Sequence, residues 1–131
     1  MTFSQLLHAV RQNPHAVVIP SVWGQGRAGF GGLAVALVFE AMRAKVPAGR
    51  PVRSLAVTFV GPLTLDAPVS FEAEVLREGK AVSQVLGRAV QNGQVVTLVQ
   101  GSFGAGRDSV VQVPGLPVVP MKSLAEATPE L

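Results

Sequence analysis

The sequence predicts an α+β fold, one antiparallel β-sheet wrapped around one central helix. Three observations carry this expectation. From Gly32 to about Lys45 no proline interrupts a run of Leu, Ala, Val, Met and Phe, which is compatible with a buried helix of three to four turns. Strand-like segments with apolar residues at alternate positions follow it. Between the last two of these stands Asn92-Gly93, the strongest short-range hairpin signal a sequence offers.

Taken in order, Phe3, Leu6, Leu7 and Val10 recur at helical spacing and predict a short amphipathic helix over residues 3–11. It ends before Asn13-Pro14, because the residue preceding proline is pushed out of the helical region. "AVVIPSVW", Ala16 to Trp23, is β-branched and apolar and reads as a first strand broken at Pro20. "GQGRAGFGG" has the composition of a loop, after which the long helix opens at Gly32 and closes before "VPAGRP". "VRSLAVTFV" places Leu55, Val57 and Phe59 on one face, and "VSFEAEVLRE" sets Phe71, Ala73 and Val75 opposite Glu72 and Glu74. The third segment of this group runs from Ala81 to Val90, set off by Glu78-Gly79, and the fourth from Gln94 to about Gly104. A single domain over residues 1–107 is therefore expected. Residues 108–131, interrupted by Pro114, Pro117, Pro120 and Pro129, read as a proline-rich tail or linker.

Composition narrows the function. Hydrophobic residues make up 48% of the chain and charged ones 15%, which excludes disorder for its body and favours a sticky, oligomer-forming surface. A net charge of +3 could suit a polyanionic small molecule, but Lys and Arg are scattered and aromatics are few, so no nucleic-acid footprint is evident. With no cysteine, disulfides, thiolate chemistry and cysteine-based metal sites are excluded, and no metal is expected. There is no signal-peptide pattern and no apolar run of bilayer-spanning length, so a cytoplasmic protein without membrane association is expected.

Trp23, Gly26-Arg27, "FGG" at 30–32, "RSLAVTFVGP" at 53–62, "EVLREGKAVSQ" at 74–84 and "QNGQVVTLVQGSF" at 91–103 stand in an order and spacing that resembles the hotdog-fold acyl-CoA thioesterases. It resembles especially the amino-terminal repeat of the type II, double-hotdog branch. The resemblance implies a hotdog fold, an acyl-CoA substrate, no cofactor, and pairing as a homodimer or homotetramer or with a second hotdog domain.

Thioester hydrolysis needs donors for the developing oxyanion, a base or nucleophile, and a polar group that orients water. The resemblance assigns the oxyanion donors to the amides of Gly31 and Gly32, expected at the helix N-terminus, where missing side chains let a carbonyl approach. It assigns the carboxylate to Glu40, on the helical face of Leu33, Ala36 and Leu37, and the water-orienting amide to Gln100. The competing reading pairs Glu40 with Arg43 at i+3 on a solvated face. Thr58 adds a candidate hydroxyl, and Phe30, Phe39 and Phe59 are candidates for the acyl pocket. Hydratases of the same fold rely on a histidine at the helix, whereas His8 and His15 precede it and are expected at the surface or in packing. Arg77, Lys80 and Arg88 flank a hairpin and either meet substrate phosphates or blunt a strand edge. The expected activity is thioester hydrolysis by carboxylate-assisted water attack; the alternative is a non-catalytic module that binds acyl thioesters or forms the dimerising half of a double-hotdog enzyme.

Overall fold

A computed structural model describes residues 1–24 and 27–105, with backbone only for 27–29. The proposed tail lies outside the described residues. Helix α1, Phe3–Gln12, opens on a capping box in which Thr2 and Gln5 each accept the other's backbone N–H, so two of the orphan amides of the first turn are satisfied. Leu6 and Val10 are its buried face. The strand expected from Ala16 onward shortens to β1, Val17–Val18, because Pro20 cannot donate to a ladder and the chain turns into a 3-10 segment, Ser21–Gly24.

Helix α2 spans Arg27–Arg43, so it begins five residues before the expected Gly32. Four long strands follow, β2 (Val52–Phe59), β3 (Pro68–Glu78), β4 (Val82–Gln91) and β5 (Gln94–Gly104). With β1 they form one antiparallel sheet in the order β1-β3-β4-β5-β2. Asn92 and Gly93 both take positive φ, 54° and 74°, as a tight two-residue turn between β4 and β5 demands.

Strand β4 alternates without exception after its first residue, with Ser83, Val85, Gly87, Ala89 and Gln91 turned toward α2. Register carries that face onto Val99, Gly101 and Phe103 of β5 and onto Leu55, Val57 and Phe59 of β2. Against it α2 buries Leu33, Leu37, Val38 and Met42, each worth roughly 1.5–3 kcal/mol on transfer from water. The helix sits over β3, β4 and β5 and leaves β2 uncovered. Every residue of β2 is exposed, including Leu55, Val57 and, at 61%, Phe59. The outer face of the sheet is polar by contrast, with Arg88 donating to Glu72 at 3.0 Å and to Glu74 at 3.1 Å. The hydrogen bond to Glu74, then that to Glu72, raises the Arg88 pKa further above the ordinary arginine value.

Two glycines set how closely α2 approaches. A Cβ on Gly87 would stand 2.5 Å from Met42 Cγ and 2.7 Å from Val38 Cγ1, and one on Gly101 would stand 2.9 Å from Met42 Cε. Gly87→Ala is therefore expected to lower stability by about 1–3 kcal/mol through overpacking, as measured by chemical denaturation. The penalty should shrink when Met42→Ala is added, since the clashing thioether is then gone.

Candidate active site

At the first turn of α2 a cleft of about 480 Å³ opens between the helix, β2 and the connection from β2 to β3. Phe30, Gly31, Phe59, Leu63, Leu65 and Thr97 line most of it, and among the described residues no acidic or basic side chain does. Phe59 reaches it because register puts its ring on the helix side of an uncovered strand, where its Cζ lies 3.3 Å from the place a Gly31 Cβ would occupy. Its roof is fixed by Gln91, whose buried amide accepts from Thr64 N–H at 2.7 Å and donates to the Thr64 carbonyl at 2.8 Å. Gly24 closes the near end, packed so tightly on Leu65 that a Cβ there would stand 2.5 Å from Cδ1.

The expected site residues divide. Phe30, Gly31 and Phe59 meet in the cleft. Gly31 and Gly32 stand one turn inside the helix, so the hydrogen-bonded ladder already engages their amides and the free donors belong to the turn before them. This corrects their expected place at the N-terminus: successive glycines look like loop, yet packing carried the helix back through them. Phe39 is remote from the cleft and stacks on Phe103 with ring centroids 5.6 Å apart.

Glu40 follows Gly31 by nine residues, which at about 100° per residue turns it to the opposite side of the helix. There it accepts from Arg11 Nε of α1 at 2.7 Å, with 22% of its side chain exposed. Its partner is thus Arg11, 29 residues away, and not Arg43. It lines a separate cleft of about 290 Å³ with His15, Lys45 and Glu72. His15 itself is exposed and shares a hydrogen bond with Ser70 Oγ at 3.3 Å.

Gln100 is exposed and opposes Leu86 and Ala56 on the outer face of the sheet, because strand alternation turns its neighbours Val99 and Gly101 inward. One domain therefore does not bring Glu40 and Gln100 into a common pocket. Thr58 lies on the same outer face, exposed. The hydroxyl that does reach the cleft belongs to Thr97, which is 3% exposed. Sequence reasoning missed Thr97, Leu63, Leu65 and Gln91. The signal was the phase of β4 and β5: counting by twos from the apolar Val85 and Val99 puts Gln91 and Thr97 on the helix side.

Residues 19–104 match the acyl-CoA thioesterase N-terminal domain family. The chain belongs to that family. Among solved structures, this thioesterase domain is similar to an acyl-CoA thioesterase II TesB2 from Mycobacterium marinum, at 24% identity over 70% of this chain and 36% of that one, with a TM-score of 0.60. It is similar also to a tesB protein of Mycobacterium avium subspecies paratuberculosis, at 27% identity over 71% of this chain and 38% of that one, TM-score 0.53. A hot dog fold protein of unknown function from Alicyclobacillus acidocaldarius matches at 25% identity over 66% of this chain and 32% of that one, TM-score 0.53. The thioesterase domain has the hotdog fold. It spans between 32% and 38% of the length of these three chains. No curated protein sequence matches it. Among the described residues, no helix is long and apolar enough to cross a membrane.

The local geometry makes the two glycines of the thioesterase domain separable. Gly32→Ala meets nothing within 4 Å and should raise stability by about 0.5–1 kcal/mol, the usual gain on removing a helix-interior glycine. Gly31→Ala should keep the fold, since the exposed Phe59 ring can shift, while narrowing the cleft. Thermal unfolding of both variants, with binding of a fluorescent fatty-acyl probe as the second readout, checks this: only Gly31→Ala should weaken the probe.

Proposed function

We propose that this domain serves the hydrolysis of acyl-CoA thioesters, with the acyl chain held in the cleft between α2 and β2. The observation that supports this best is the seat of an apolar cleft against the first turn of α2. The first amides of a helix have no acceptor within it, and they carry the positive end of the helix dipole. A thioester carbonyl placed there meets donors already oriented for the oxyanion that forms on water attack. Among the described residues Thr97 supplies the one polar side chain of the cleft and positions the water or the carbonyl, and Gly31 keeps the approach open.

The base that takes the proton from water comes from outside this cleft. In this reading a second hotdog unit, either another copy in a homodimer or homotetramer or a further domain, packs on the uncovered face of Leu55, Val57 and Phe59 and completes the site. Burial of that face supplies the driving force. A second reading keeps Glu40 as base and Gln100 as the water-orienting group. The ion pair with Arg11 and the outward face of Gln100 favour the first.

A panel of acyl-CoA esters of increasing chain length, assayed for released CoA, tests the proposal. Phe59→Ala should raise KM about 10-fold or more, from the loss of roughly 1.5–3 kcal/mol of buried contact. Glu40→Ala should leave kcat within about twofold and cost less than about 1 kcal/mol of stability, because its pair is partly exposed. Failure of every ester to bind or turn over would sink the proposal, and loss of turnover in Glu40→Ala would restore the second reading.

A further inference from the structure

The far end of α2 carries a second, differently built cleft of about 290 Å³. Arg43, Val46, Pro47, Arg50, Pro51 and Phe103 form most of its wall, and among the described residues no carboxylate lines it. Among the described residues neither arginine makes an ion pair there, in contrast to Arg11 and Arg88, which each hold a carboxylate. Glu78, opposite Ser83 in register, forms no ion pair with either one.

Both guanidinium groups are held in place. The Arg43 guanidinium carbon lies 6.0 Å from the centroid of the Phe39 ring, which itself stacks on Phe103. Arg50 donates from Nη1 to the buried Ser83 hydroxyl at 2.8 Å and from Nη2 to the carbonyls of Gly79 and Lys80 at 2.9 and 2.6 Å. A guanidinium has five N–H donors, so two of those on Arg50 remain. The loop that carries Arg50 is constrained, with Pro47 before it and Pro51 after it fixing φ and Gly49 at φ +90° making the turn. Lys45, Arg53, Arg77 and Lys80 stand around the same end of the fold and add to the positive field.

A helix C-terminus ordinarily repels an anion with about half a negative charge. Here the amides of Lys45 and Val46 close on the carbonyls of Met42 and Arg43 at 3.0 and 3.1 Å, and two full positive charges line the cleft. The sign is decided by the arginines.

We propose that this cleft binds the phosphates of a nucleotide, with Arg43 and Arg50 as the two-pronged clamp. Planar guanidinium pairs match phosphate oxygens in a way that a diffuse basic surface does not. The cleft is separated from the acyl cleft along α2 by the nine-residue step from Ala34 to Arg43, a rise of about 14 Å. It is thus a site of its own, whether its ligand is free or is the nucleotide end of a long substrate.

Calorimetric titration of the full chain with ADP and with inorganic pyrophosphate, at low salt, tests this directly. Saturable binding is expected, weakened at least 10-fold in Arg43→Gln and less than twofold in Arg77→Gln, a cation outside the cleft. Arg50→Lys, which keeps the charge but loses the fork, should weaken it as well, with circular dichroism confirming the fold. Absence of saturable binding, or equal losses in Arg43→Gln and Arg77→Gln, would overturn the site. The source of the phosphates is read separately. If Arg43→Gln raises KM for an acyl-CoA but not for the same acyl group on pantetheine, they are the substrate's own. If ADP binds without competing against acyl-CoA, the ligand is a separate nucleotide. The titration stands on its own even if no ester is hydrolysed, so the clamp and the proposed hydrolysis can fail independently.

Discussion

The contact of Met42 and Val38 with the glycines of the sheet governs where everything else lies. Gly87 and Gly101 face α2 from neighbouring strands, and the Met42 side chain fills the space that two Cβ atoms would have taken. This close seat turns Leu37, Val38 and Met42 into fully buried side chains over β4 and β5. It also fixes the axis of the helix, and with it the position of both helix ends. Interiors pack at crystal-like density, so a shift of one methyl group here moves the cleft at the N-terminus and the arginines at the C-terminus together.

The two ends of α2 then present opposite chemistry by different means. At the start, the environment is apolar: the cleft beside the first turns of the helix is lined by Phe30, Phe59, Leu63 and Leu65, at the end where the helix dipole is positive. At the finish, the carbonyls of Met42 and Arg43 are closed by the amides of Lys45 and Val46 and side chains decide, because Arg43 and Arg50 outweigh the residual negative pole. Glu40 belongs to neither end. Its bond to Arg11 ties α1 to the flank of α2, where Leu6 and Val10 are already buried, and partial exposure keeps the pair's contribution small.

Much of this was legible beforehand because it rests on local rules. The alternation of β4 and the Asn92-Gly93 turn specify strand, register and face with little help from the rest of the chain. The beginning of α2 was not legible: Gly29, Gly31 and Gly32 each disfavour a helix by up to about 1 kcal/mol, and burial of Phe30, Leu33 and Ala34 against the fold offsets that. The site suffered for it, since a helix that starts earlier withdraws the amides of Gly31 and Gly32 from use. Thr58 and Thr97 show the same limit from another side. Both are strand threonines, and only pairing register tells that one faces out and the other into the cleft.

The sequence by itself determined the α+β class, the order of elements and the likeness to hotdog thioesterases, because these follow from periodicity, turn chemistry and motif order within short stretches. Tertiary structure alone decided which way the chemical groups face. Glu40 meets an arginine 29 residues distant, Gln100 points away from the helix, and Phe59 stands on an uncovered strand beside Gly31. Those outcomes depend on which helix lies on which strand and at what register. Such facts reside in long-range packing, which no single segment encodes.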